Sequence, residues 1–187
     1  GAVRPGDVVL VQGTGGVALF ALQFARLCGA QVILTSSSDA KLERGRALGA
    51  DATINYRSTP EWGREAKEQA RRLSGRDGVD LVIEIGGQDS LGQSLRAVRA
   101  GGTVAMIGVM GGATMNAPLG LVVTRAVRLQ GVTVGSRDDF LAMARAIEST
   151  GMRPVIDRVF AFAELREALE YLRGGQHFGK VVIDFSV

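Results

Sequence analysis

Three observations predict an α/β fold with a six-stranded, doubly wound parallel sheet for this 187-residue chain. Short β-branched runs alternate with amphipathic helical segments. A glycine introduces most of these runs, as in Gly29-Ala30-Gln31-Val32-Ile33-Leu34 and Gly101-Gly102-Thr103-Val104-Ala105-Met106. The first run passes directly into a glycine-rich turn that opens a helix. Strands alternating with helices at this spacing make βαβ units, and right-handed crossovers wind these into a parallel sheet.

The elements follow in order. Strands are predicted near 7–12, 31–35, 52–55, 79–85, 102–108 and 129–135, and helices near 15–28, 39–48, 60–74, 89–99, 116–125 and 137–150. In the first helix Val17, Phe20, Ala21, Phe24, Leu27 and Cys28 recur at helical spacing, so this face is expected to be buried, with Cys28 in the core. Asp39 is the expected N-cap of the second helix. After Thr150 the rhythm breaks. Met152-Arg153-Pro154 reads as a connector, followed by a strand over 155–160, a helix over 163–172 and a strand over 179–185. The expected division is therefore a domain over 1–150 and a carboxyl-terminal segment over 151–187.

Composition narrows the class. The chain is 46% hydrophobic and 22% charged, which is ordinary for a globular domain, whereas 26 glycines imply many sharp connections. The net charge of +3 is dispersed, as in Lys41-Leu42-Glu43-Arg44, so no nucleic-acid stripe is expected. With a single cysteine no internal disulfide can form, and a cytoplasmic setting is the simpler expectation. The apolar runs are strand-length, so neither a membrane span nor an intact secretion signal is expected.

The turn after the first strand carries the chemistry. Val8-Val9-Leu10-Val11-Gln12 runs into Gly13-Thr14-Gly15-Gly16-Val17-Ala18, a G-x-G-x-x-A spacing within the dinucleotide fingerprint of Rossmann-type folds. Gly13 permits the tight turn, Gly15 admits a pyrophosphate close to the backbone, and Ala18 keeps the helix near the sheet. The N–H groups of Gly15, Gly16 and Val17, with the helix dipole behind them, are then a phosphate site. A plain strand-to-helix turn is the competing account, and a methyltransferase-like fold is another. The latter usually has an acidic residue at the end of the second strand, which this chain lacks. An acidic residue there would also hold the ribose 2′-hydroxyl of NAD. Here stand Thr35-Ser36-Ser37-Ser38-Asp39-Ala40-Lys41. Ser36 and Ser37 leave room and donors for a 2′-phosphate and Lys41 supplies charge, so NADP is expected ahead of NAD; the alternative is a merely polar loop.

Pro5-Gly6-Asp7 with the glycine turn, Ala47-Leu48-Gly49-Ala50-Asp51, Ile54-Asn55-Tyr56-Arg57 and the closing Phe178-Gly179-Lys180-Val181-Val182 resemble the medium-chain dehydrogenase/reductase superfamily. Within it the chain looks like the zinc-type alcohol dehydrogenase-like and quinone oxidoreductase-like members, but only like their second half. The resemblance implies that Gly13, Gly15, Gly16 and Val17 hold the pyrophosphate and that Ser37, Lys41 and Tyr56 surround the adenosine. It implies that Gly86, Gly108, Val109 and Ser136 line the path to the nicotinamide, and that Lys180 closes over the cofactor. For Tyr56, packing at a strand end is the equal alternative. An amino-terminal catalytic domain is implied to be missing, and the strand around Val132–Val134 resembles the edge through which such subunits pair into homodimers. One Cys and one His cannot build the usual zinc sites, so no zinc is expected on this chain, nor any catalytic residue.

The implied function is binding and orientation of NADP(H) for hydride transfer to or from a carbonyl, alcohol or activated alkene, with this chain inactive by itself. The alternatives are a non-catalytic dinucleotide sensor or interaction module, and the enoyl-reductase domain of a larger synthase. Among single residues, His177 is expected in an exposed loop. Asp80 and Glu84 are expected as buried acids tied to backbone N–H groups or a lysine, and Arg125 and Arg128 as surface or interface residues. Trp62 has no functional reading.

Overall fold

A computed structural model describes residues 3–112, 114 and 117–186. Strands β1 (Val8–Gln12), β2 (Gln31–Ser36), β3 (Ala52–Asn55), β4 (Val79–Glu84), β5 (Val98–Met106) and β6 (Arg128–Gly131) form one parallel sheet in the order β3-β2-β1-β4-β5-β6. This is the expected doubly wound order. Between the strands run α1 (Gly16–Leu27), α2 (Asp39–Ala47), α3 (Trp62–Ser74), α4 (Leu91–Ala97) and α5 (Leu119–Thr124).

Both faces of the central strands are buried, so β1, β2 and β4 read as largely apolar runs instead of alternating ones. Val8, Leu10, Ile33, Ile54, Val82 and Val104 share one core with Trp62, Ala66 and Ala70 of α3 and Leu91 and Leu95 of α4. Val9, Val11, Val32 and Leu34 alternate to the other face. There α2 comes so close that a Cβ at Gly45 would collide with the Leu34 side chain.

The chain gathers into two compact units. One comprises residues 1–13 with 21–133, and the other residues 14–20 with 134–187. The second unit holds α6 (Arg137–Thr150), β7 (Ile156–Ala161), a 3₁₀ turn (Phe162–Glu164), α7 (Leu165–Arg173) and β8 (Lys180–Asp184), with β7 and β8 paired in parallel. The strand-helix-strand tail thus stands as expected.

Several expectations are corrected. The buried stripe of α1 is Ala18, Leu19, Leu22 and Ala25, on the side opposite the predicted one, whereas Val17 and Leu27 are about half exposed. Apart from Gln23 and Arg26 this helix is apolar, so it offers two apolar stripes, and the side with small alanines permits the closer approach. Cys28 lies beyond the end of α1 and is exposed. The N-cap of α2 is Ser38, whose hydroxyl accepts from the Lys41 N–H; Asp39 instead accepts from the Asn55 amide at 2.7 Å. The fourth helix ends at Ala97, and the next strand already begins at Val98. The sixth strand ends at Gly131, so Val132–Gly135 lie outside it. The fifth helix spans only Leu119–Thr124; Asn116, its expected first residue, is outside the described residues.

Arg128 is exposed, as expected, whereas Arg125 is half-buried: its guanidinium donates to the carbonyls of Leu95 and Val98 at the end of α4, where helix carbonyls lack partners. His177 is half-buried rather than exposed, and its Nδ1 is shielded from solvent with no hydrogen-bond partner among the described residues. No described helix is long and apolar enough to cross a membrane.

Candidate functional site

In a doubly wound sheet the loops at the carboxyl ends of the strands form the ligand-facing edge. Gly13 follows β1 with φ +74°, a left-handed conformation that glycine adopts without strain. Its missing Cβ would lie 3.3 Å from Ile85 Cδ1, so the turn is tight as well as left-handed.

The next part of the turn lies in the second unit. A Cβ at Gly15 would meet nothing within 4 Å: the backbone there faces open space, the condition for close approach by a pyrophosphate. Leu19 donates to the Gly15 carbonyl at 3.0 Å, so the helix begins at once. Val17 is half exposed beside it. The tail of the same unit reaches this turn. Gly179 bridges to Gly15, and its N–H donates to the Thr14 carbonyl at 2.9 Å. Lys180 then lies over Gly16, with Nζ 2.8 Å from where a Cβ would stand. Ser136, in this unit too, is the N-cap of α6, its hydroxyl and Asp139 forming a reciprocal capping box.

In the first unit the residues expected around the adenosine gather at the ends of β2 and β3. Ser36 is buried and pairs with Asn55, and the Tyr56 N–H donates to the Ser36 carbonyl at 3.1 Å. Ser37 and Lys41 are half-buried, one on each side of the Ser38 cap. Tyr56 is 41% exposed at the end of β3.

Gly86, Gly108 and Val109 come together after β4 and β5. The Gly111 N–H donates to the Gly86 carbonyl at 2.6 Å, and a Cβ on Gly108 would collide with the Ile85 carbonyl. Glu84 is the buried acid tied to backbone N–H groups that the sequence predicted, accepting from Gly86 and Gly87, but sequence reasoning missed that Gln12, Ser90 and Ser94 join it in one polar group beneath these loops. Its visible signal was a glutamine closing an otherwise apolar strand.

At the opposite end of the sheet Asp80 is buried as expected, though arginines replace the lysine. Val8 N–H donates to it at 2.8 Å, Arg76 at 2.7 Å and Arg99 at 2.6 Å. Burial alone would raise its pKa, but the backbone hydrogen bond and both guanidinium groups outweigh this and leave it lowered. Among the described residues no three His, Cys, Asp or Glu side chains cluster so as to hold a metal ion.

Comparison with known proteins agrees with this fold. Residues 16–149 match the family model of the zinc-binding dehydrogenases. The chain is 44% identical over 185 residues to the zinc-type alcohol dehydrogenase-like protein C1773.06c of Schizosaccharomyces pombe, covering 97% of this chain and 52% of that one. An NAD-dependent alcohol dehydrogenase superposes with a TM-score of 0.85 at 34% identity, covering 97% of this chain and 52% of its own. The crotonyl-CoA carboxylase/reductase AntE in complex with NADP gives 0.87 at 27% identity, covering 97% and 50%. The chain thus spans about half the length of the relatives it matches.

Proposed function

The chain belongs to the zinc-binding dehydrogenase family, within the medium-chain dehydrogenase/reductase superfamily, and on that premise we propose that it is the NADP(H)-binding half of an oxidoreductase. The observation that carries this reading is the turn in which Gly15 faces open space while Lys180 holds an ammonium over Gly16. Such a turn suits a pyrophosphate in two ways, by room at the backbone and by positive charge.

When bound, the nicotinamide supplies the chemistry, donating or accepting a hydride at C4. This chain's residues bind and orient. Gly13, Gly15, Gly16 and Val17 hold the pyrophosphate with Lys180. Ser36, Ser37, Lys41 and Tyr56 take the adenosine ribose and its 2′-phosphate. Gly86, Gly108, Val109 and Ser136 line the nicotinamide side. The hydride partner is a carbonyl or alcohol, bound mainly by an amino-terminal catalytic domain of the whole enzyme. Exposed Phe140, Leu141, Phe162, Leu169 and Phe185 in the second unit support a covering domain. Likeness to a crotonyl-CoA carboxylase/reductase supports an activated alkene as the second reading. Pairing of two copies along β6, the edge of the sheet, accords with its unpaired backbone.

Titration with NADPH and NADH, followed by coenzyme fluorescence at low ionic strength, tests the proposal. Saturable binding of both, tighter for NADPH, is expected. Failure of both to bind overturns the site, and tighter NADH binding overturns the preference for the 2′-phosphate.

A further inference from the structure

Glu84, the last residue of β4, is 1% exposed, and its two carboxylate oxygens face five donors, none of them cationic. Oε1 accepts from the Gly86 N–H at 2.8 Å, the Gly87 N–H at 3.0 Å and the Ser90 hydroxyl at 2.5 Å. Oε2 accepts from the Gln12 amide at 2.7 Å and from the Ser94 hydroxyl. Gln12, one residue before Gly13, completes the arrangement. Its Nε2 also donates to Ser94 Oγ at 2.7 Å, and its Oε1 accepts from the N–H groups of Ile85 and Gly86 at 3.3 and 3.4 Å.

The loop so held carries a second one. Ile107 N–H donates to the Glu84 carbonyl at 2.8 Å, and Gly111 N–H to that of Gly86. Gly87, at φ +81°, sits so close that its Cβ would stand 3.0 Å from Val109 Cα. Residues 85–90 therefore cannot shift without carrying 107–111, where Gly108 and Val109 lie. An apolar side chain at position 84 would suit the core but leave these donors unpaired, and a buried donor without an acceptor is costly.

We infer that Glu84, acting with Gln12, is a positioning residue for the coenzyme, setting the loops after β1, β4 and β5 without touching the ligand. The inference rests on the proposed coenzyme site. The donor pattern makes it specific. In Glu84→Gln one oxygen becomes an NH₂ group. If this group faces Gln12, then Gln12 must turn its own amide, which sets an NH₂ against the Ile85 and Gly86 N–H groups. The double exchange Gln12→Glu with Glu84→Gln removes the conflict. The new amide at position 84 then donates to the new carboxylate at position 12, and every other donor keeps an acceptor.

The test compares four chains for NADPH affinity, thermal midpoint and hydrogen exchange at the Gly86 and Gly87 amides. Glu84→Gln is expected to weaken NADPH binding at least tenfold and to speed that exchange. The double exchange is expected to return binding to within threefold of the parent. Asp80→Asn, at the other end of the sheet, is expected to lower the midpoint as much while leaving affinity within twofold. If Glu84→Gln does not fold, Ser90→Ala deletes a single donor and is expected to weaken binding about threefold. Parent-like affinity in the Glu84 variant, or in Ser90→Ala where it replaces that variant, overturns the inference. So does a double exchange no better than the single, or an equal loss in Asp80→Asn. A parent chain that binds no NADPH overturns the site itself, and the positioning role falls with it; protected Gly86 and Gly87 amides in that chain would show the loops ordered for another purpose.

Discussion

Lys180 crosses Gly16 so closely that its Cε would lie 2.5 Å from a Cβ at that position. A side chain at position 16 would have to displace the flexible end of Lys180. If Nζ serves the pyrophosphate, Lys180→Ala weakens NADPH and NADH alike, by about tenfold or 1.4 kcal/mol. It should also flatten the salt dependence of binding. Parallel titrations at low and high salt measure both effects, and a loss confined to NADPH would move Lys180 to the 2′-phosphate.

Coenzyme choice is expected to lie in the loop after β2. Lys41→Ala should weaken NADPH about tenfold and leave NADH within twofold, because only one of them carries the 2′-phosphate. Ser37→Asp should reverse the preference by repelling that phosphate. Equal losses for both coenzymes in Lys41→Ala would assign the lysine to the fold of α2.

Asp80 gives the stability an acid limb. Its pKa is lowered in the folded chain, because hydrogen bonds from Val8, Arg99 and Arg76 outweigh burial. A lowered folded-state pKa contributes stability above the unfolded value of about 4, and that contribution is lost as pH falls through the folded one. In the Asp80→Ala variant urea stability should fall by about 2 kcal/mol at pH 7, less than for a fully buried pair because both arginines reach water. Its deficit should shrink below about pH 4, and a deficit constant with pH would rule the account out.

Ala126 has φ +48°, among the described residues the sole non-glycine at positive φ. It closes α5 as a left-handed cap, the Ala126 N–H donating to the Val123 carbonyl and the Val127 N–H to the Val122 carbonyl. Ala126→Gly should therefore stabilise by about 0.5–1 kcal/mol, the relieved strain exceeding the added freedom of the unfolded chain. Urea midpoints check this, and a destabilised variant would locate the strain elsewhere.

Much of the architecture was legible because it is local. Helical and strand periods, glycine stops and the turn at Gly13–Ala18 are properties of neighbouring residues, and they led to the parallel, doubly wound sheet found. Of the candidate site, Gly13 and Gly15 were legible from spacing alone. Lys180 entered only through family resemblance, since 164 positions separate it from Gly16 along the chain.

The sequence by itself determined the alternation of elements, the parallel sheet and the open glycine turn, because each follows from short-range sterics and hydrophobic period. Only the tertiary structure decided which stripe of α1 is buried, since that helix offers two and packing accepts the one with small residues. It also decided that Gln12 and Glu84, 72 residues apart, share one hydrogen-bonded group beneath the loops. A donor and an acceptor that meet only when β1 lies beside β4 leave no periodic trace along the chain.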